Sequence, residues 1–188
     1  MLNNLFQTIQ KITPLGDGLT SYLKDHLKPI QLFKKEFLLT EGNVCRNIYF
    51  VADGFLHAYY VKDEKEITSW FMGKGEVTIS VHSFFTQRRS TENIQVLADI
   101  TLFSLSYNEL QYAYQAFPEM NMIGRVLTEQ YYIRSEERAI ALRQFTARER
   151  YENLLITHPG ILQKASLGQI ASHLGILQET LSRVRAQK

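Results

Sequence analysis

A chain of 188 residues, 45% of them apolar, can bury the core of one large domain, or of a domain of about 120 residues with a small second unit. Its formal charge of +2 is too small to mark a nucleic-acid binder by itself, and no apolar run reaches the roughly 18 residues of a membrane span. Cys45 is the only cysteine, which leaves one chain without a disulfide framework or a cysteine-ligated iron–sulfur cluster; with no basic-then-apolar leader, the chain is expected in the cytoplasm.

In chain order, residues 3–12 and 17–27 read as short amphipathic helices. From about 29 to 107 the texture becomes short β-rich segments: 36–40, 47–52, 55–61, 67–72, 77–81, 94–98 and 101–106. Turn residues separate them, and Asp53-Gly54 reads as a hairpin. Seven or eight short strands at this spacing predict a sandwich or barrel. A helix follows at 108–116, then a long one that opens on Pro118, suited to a first helical position, and runs to about 143.

Val126, Ile133 and Ile140 fall seven apart, the repeat of a coiled-coil seam, which predicts self-association through this helix. Gln130 and Glu137 interrupt the seam, so packing of the helix on its own β-domain is the alternative. Thr146-Ala147-Arg148-Glu149 is a capping box, so the chain bends at 144–146 and starts a new helix that ends at His158-Pro159-Gly160.

Residues 166–188 carry the most information. Ser166 and Gln169 form a second capping box, Gly175 supplies a left-handed helix stop, and a basic, polar helix follows. Leu167, Ile170, Leu174, Ile176, Leu181 and Val184 give the two helices one common buried face. Gln178, Glu179, Thr180, Ser182, Arg183 and Arg185 would then face outward, as side chains suited to base edges and phosphates. An ordinary helical hairpin is the alternative; the coincidence of small residue, glycine and apolar positions favours helix-turn-helix. Residues 143–188 hold seven Lys/Arg against three Asp/Glu, a net of +4, whereas 1–116 and 117–142 each carry −1.

KKEFLLTEGNVCRNIYFVADGFLHAYY (34–60), EITSWFMGKGE (66–76) and ETLSRVR (179–185) together resemble the Crp/Fnr family of bacterial transcription regulators over nearly the whole chain. The resemblance implies an α+β fold in three parts. Residues 1–116 would be a sensor with a jelly-roll-like double-stranded β-helix of the cyclic-nucleotide-binding kind, 117–145 a dimerisation helix and hinge, and 146–188 a helix-turn-helix domain. The family's DNA-reading positions fall on Gln178, Glu179 and Arg183; Arg185 and Lys188 would lie near the phosphate wall. The implied partners are double-stranded DNA, a second copy of the chain, RNA polymerase and an unknown small-molecule effector, with no membrane involved. Only residues 160–165 separate the two helical regions before Lys188 closes the chain, so the wing of the family is expected to be minimal or absent.

A gap-free alignment through Gly75-Glu76, Phe84 and Ser106-Tyr107 places the family's ribose-binding Gly-Glu pair on Ile79-Ser80. It places the phosphate-binding arginine on Ser90, with Thr91 next. Both charges are missing, and Arg89, one residue away on a strand, would point to the opposite face. The resemblance therefore implies a regulator outside ordinary cAMP control, with no cofactor and with Ile79, Ser80, Arg88, Arg89, Ser90 and Thr91 around a candidate effector pocket. A conventional cyclic-nucleotide-activated regulator is the alternative. A haem held by His57 or His82 is disfavoured, because a lone strand histidine is more often structural. An enzyme is not expected: His26, His57, His82, His158 and His173 are dispersed, and no phosphate loop or nucleophile elbow is present.

Overall fold

The computed structural model describes residues 2–186. Two amphipathic helices, α1 (Leu2–Gln10) and α2 (Asp17–His26), lead into an antiparallel sheet. Its strands are β1 (Lys28–Leu32), β2 (Phe37–Leu39), β3 (Asn47–Lys62), β4 (Lys65–Gly73), β5 (Val77–Thr78) and β6 (Asn93–Ser106), with helix α3 (Val81–Thr86) inserted after β5. The main path runs β1-β6-β3-β4, with β2 added to β6 and β5 to β3.

Two long strands replace the four short ones expected at 47–61 and 94–106. β3 and β6 pair from Asn47↔Ser106 to Tyr59↔Asn93, with register shifts between Val51 and Leu56. Asp53-Gly54, expected as a hairpin, is therefore a bend inside a strand. Gly54 has φ 103°, and a Cβ there would lie 2.4 Å from the Asp99 carbonyl oxygen. Its glycine serves close approach to the neighbouring strand rather than chain reversal. The reversal comes ten residues later, where Asp63 and Glu64 both adopt left-handed φ (49° and 59°) between the paired Lys62 and Lys65. That geometry suits the right-handed twist of the flanking strands.

Leu56, Ile94, Leu102 and Leu105 fill the roll, and Leu19, Leu23 and Phe84 close it from the helices. Helix α4 (Tyr107–Ala116) starts at a full capping box, with the Ser106 hydroxyl accepting from the Glu109 N–H. Helix α5 (Pro118–Gln144) buries Met120 and Ile123 against the roll and then runs outward, about 40 Å in all at 1.5 Å per residue. Its low amphipathicity follows from this split between a packed first third and a largely exposed remainder.

The chain turns at Phe145 into α6 (Ala147–Thr157), with the Thr146–Glu149 capping box formed as read from sequence. Three helices follow: α7 (Ile161–Lys164), α8 (Leu167–Leu174) and α9 (Gln178–Ala186). Among the described residues no strand follows β6, so no β-hairpin wing accompanies α8 and α9. Their core is not self-contained. Ile161, Ile170, Ala171, Leu174 and Leu181 form one cluster with Phe55, Phe71 and Leu97 of the β-roll.

Candidate nucleic-acid interface and ligand cavity

The α8–α9 unit is built from its caps inward. The Ser166 hydroxyl accepts from the Gln169 N–H at 3.2 Å, and the Gln169 side-chain oxygen accepts from the Ser166 N–H at 3.0 Å. At the other end Gly175 adopts φ 67°, and the Ile176 N–H reaches back to the Ala171 carbonyl at 3.0 Å. This left-handed stop uses carbonyls that the helix end would otherwise leave unpaired. Leu181 is fully buried and Val184 half-buried, which fixes the rotation of α9. With that rotation set, Gln178, Glu179, Ser182, Arg183 and Arg185 are exposed and Thr180 is half-buried. Thr180 accepts a hydrogen bond from the Arg183 guanidinium at 3.3 Å, which steadies the arginine over the helix surface. Lys188 lies outside the described residues.

The unit sits on the edge of its own β-domain. Strand β4 ends the main sheet path, so part of its backbone is left for other partners. Ser172 of α8 supplies one: its hydroxyl accepts from the Thr68 N–H and donates to the Glu66 carbonyl, both at 3.0 Å. His173 packs on Phe71 with ring centroids 4.9 Å apart. The Arg138 guanidinium of α5 lies about 3 Å from both His173 ring nitrogens, donates to the His173 carbonyl at 3.2 Å and covers the Trp70 ring at 5.8 Å. One N–H cannot bond both nitrogens in plane, so the ring contact counts as a single interaction. Burial first, then the Arg138 charge, pushes His173 down to about 3, which keeps the ring neutral at ordinary pH.

Along α5, Ile133 and Ile140 are exposed and Val126 is half-buried. In one chain the seam positions thus form an uncovered apolar stripe beyond the roll.

A cavity of about 920 Å³ opens between the roll, α5 and the α6–α8 unit. Of the residues expected around an effector pocket, Ile79, Ser80 and Thr91 line it. Ser90 is buried in the wall, its hydroxyl 3.1 Å from that of Ser80. Arg88 and Arg89 do not line it and are exposed. The left-handed Gln87 turns the chain at the end of α3, the Arg88 carbonyl is held by the Ser83 hydroxyl, and Arg89 bridges Val44. Those contacts commit the local backbone and leave both guanidinium groups in solvent. Glu76 closes the turn before β5, accepting from the Gly73 N–H at 2.8 Å, and pairs with Arg134 of α5 at 2.7 Å.

Sequence reasoning passed over the groups that set the cavity's chemistry: Glu92, Tyr60, Trp70 and Tyr131. Glu92 is 8% exposed, and the Ser80 and Tyr60 hydroxyls oppose the rise that burial gives its carboxyl. A cyclic nucleotide would bring a buried phosphodiester charge to this wall, where the positions aligned with the missing charges are Ile79-Ser80 and Ser90-Thr91. An anion there would meet the buried Glu92 carboxyl, while the arginines that line the cavity, Arg134, Arg138 and Arg150, belong to α5 and α6.

The sequence profile of the cyclic nucleotide-binding domain family matches residues 29–117. Several solved structures share the fold. FixK2 from Bradyrhizobium japonicum superimposes with a TM-score of 0.74 at 18% identity, covering 86% of this chain and 83% of that one. The c-di-GMP-responsive global regulator CLP of Xanthomonas campestris gives 0.71 at 17% identity, covering 92% and 91%. A protein from Eubacterium rectale assigned to the Crp/Fnr regulators gives 0.71 at 18%, covering 90% and 82%. No curated protein matches the sequence. Among the described residues no helix is long and apolar enough to cross a membrane.

Proposed function

We propose that this chain, which joins a cyclic nucleotide-binding domain to a helix-turn-helix on the fold shared with Crp/Fnr regulators, is a DNA-binding transcription regulator. The observation that carries the reading is the outward polar face of α9, held in place by a fully buried Leu181. Arg183 would read guanine O6 and N7, Glu179 a cytosine amino group, and Gln178 an adenine or the backbone. Thr180 and Ser182 would position the helix on phosphates, with Arg185 near the phosphate wall. The stripe Val126, Ile133 and Ile140 supports a homodimer that brings two α9 helices to successive major grooves, roughly 34 Å apart, on a palindromic site. Two of the fold neighbours, CLP and the E. rectale protein, are described as regulators, which favours the same role here. RNA polymerase is the natural protein partner of such a regulator, and the cytoplasm its place of action.

Selection of a binding site from random duplexes, followed by titration of the selected site, tests the reading. Arg183→Ala is expected to weaken the selected site by about 1–3 kcal/mol and random DNA far less. Equal losses on both would refute base reading by this helix. Control by a cyclic nucleotide, with a cofactor-free regulator responding to cAMP or cGMP, is the competing reading, and calorimetry on the ligand-free protein separates the two. The buried Glu92 carboxyl and the hydroxyl side chains of Ser80, Ser90 and Thr91 favour an effector of other chemistry.

A further inference from the structure

The cavity lining includes the buried Glu92 and the rings of Tyr60, Trp70 and Tyr131. Glu92 is fixed from two sides. The Ser90 hydroxyl donates to the Glu92 carbonyl at 2.8 Å and accepts from the Glu92 N–H at 3.0 Å, and the Ser80 hydroxyl lies 3.1 Å from that of Ser90. Trp70 and Tyr131 stand together with ring centroids 5.5 Å apart. Thr78, 2% exposed and lining the same cavity, has a hydroxyl oxygen with no partner, a hydrogen-bonding group left for an occupant. Among the described residues no lysine or arginine of the roll lines this space. Three arginines of α5 and α6 also line the cavity: Arg134 pairs with Glu76, Arg138 donates to the His173 carbonyl and covers the Trp70 ring, and Arg150 donates to the Leu142 and Phe145 carbonyls.

A carboxylate beside π faces, within a largely apolar enclosure, is the chemistry that recognises an ammonium group. We infer that the cavity binds a small organic amine, its protonated nitrogen on Glu92 and its apolar body against Trp70, Tyr131 and Ile79. The cation would hold ionised a carboxyl that burial otherwise biases toward its neutral form. Ser90 acts as a positioning residue, holding the backbone that carries Glu92. The inference rests on the proposed function only in taking the β-domain as the ligand-receiving part, and α9 and DNA have no role in it.

The test uses the full chain without DNA. Trp70 is the only tryptophan, so its emission, excited at the red edge, reports occupancy of this cavity directly. Phenethylamine, 3-phenylpropionate and cAMP are titrated in parallel at pH 7.5. Saturable binding of phenethylamine with Kd below about 1 mM, at least about tenfold tighter than either anion, is expected. Glu92→Gln should weaken the amine by about tenfold or more and erase its preference over 3-phenylpropionate. Because that variant changes a buried group, a second measurement stays with the unmodified chain. Acidification toward pH 5 should weaken phenethylamine well beyond neutral 2-phenylethanol, whose own response reports protonation of His158 and His173 in the cavity wall. Equal or tighter binding of either anion overturns the inference. So do an amine preference that survives Glu92→Gln, an acid response no larger than that of 2-phenylethanol, and the lack of a saturable amine signal up to about 5 mM. A failure of sequence-specific DNA binding bears on the regulator reading alone.

Discussion

Acid should loosen the contact of α8 with β4, and His173 sets how much. Docked, the imidazole is buried on Phe71 beside Arg138 and takes a proton only near pH 3; released, it would titrate near 6.5. Above about 6.5 the ring is neutral in both states and the contact has its full strength. Below that value the released state binds a proton that the docked state refuses, so stability is lost progressively as pH falls toward 3. Between pH 7 and pH 5.5, one unit below the free value, the undocked population should rise roughly eightfold. The Thr68 amide reports it directly, because its bond to the Ser172 hydroxyl exists only across this interface. Its hydrogen exchange, corrected for the intrinsic rate, should accelerate by about that factor between pH 7 and 5.5. His158, also lowered by burial and close to His173, contributes in parallel, so the comparison is with His173→Phe. That variant keeps a ring on Phe71 and has no proton to take. An equal acid response in both proteins would refute the assignment to His173.

Other outcomes follow from single contacts. Gly54→Ala forces a Cβ onto the Asp99 carbonyl and Ile100 at a φ that L-residues avoid; a loss of more than about 2 kcal/mol is expected in urea denaturation. Leu181→Ala empties a fully buried position between α8 and α9 and should cost about 2–5 kcal/mol, with specific DNA binding lost before the β-domain melts. Ile133→Glu places a charge in the exposed stripe of α5 and should shift sedimentation from dimer to monomer, with the far-UV spectrum unchanged. Cys45 is 1% exposed and burial raises its thiol, so a soluble disulfide reagent should label it only after denaturant is added.

Local chemistry was legible wherever it acts over a few residues. All three capping boxes are formed, two of them read in advance from Thr146–Glu149 and Ser166–Gln169. Gly175 stops α8, and the outward set on α9 emerges from apolar spacing. Non-local geometry was not legible. Asp53-Gly54 and Asp63-Glu64 are both turn-prone pairs, and only the pairing of β3 with β6 decides which one reverses the chain. The cavity divides the same way: an alignment predicts two missing charges, whereas the burial of Glu92 at the cavity wall depends on which side chains the roll turns inward. Arg88 and Arg89 looked available to that site, yet turn and bridge contacts commit their backbone elsewhere.

Phe55, Phe71 and Leu97 lie in the roll and yet complete the cluster beneath α8 and α9. A fragment cut at the bend would carry away a hydrophobic wound, so the α6–α9 unit cannot be lifted out as a free-standing cassette or fused to another domain without a substitute floor. Whatever tugs on those three side chains from the roll tugs on α8 and α9 too, and mechanical communication between the two halves is a property of their shared oil.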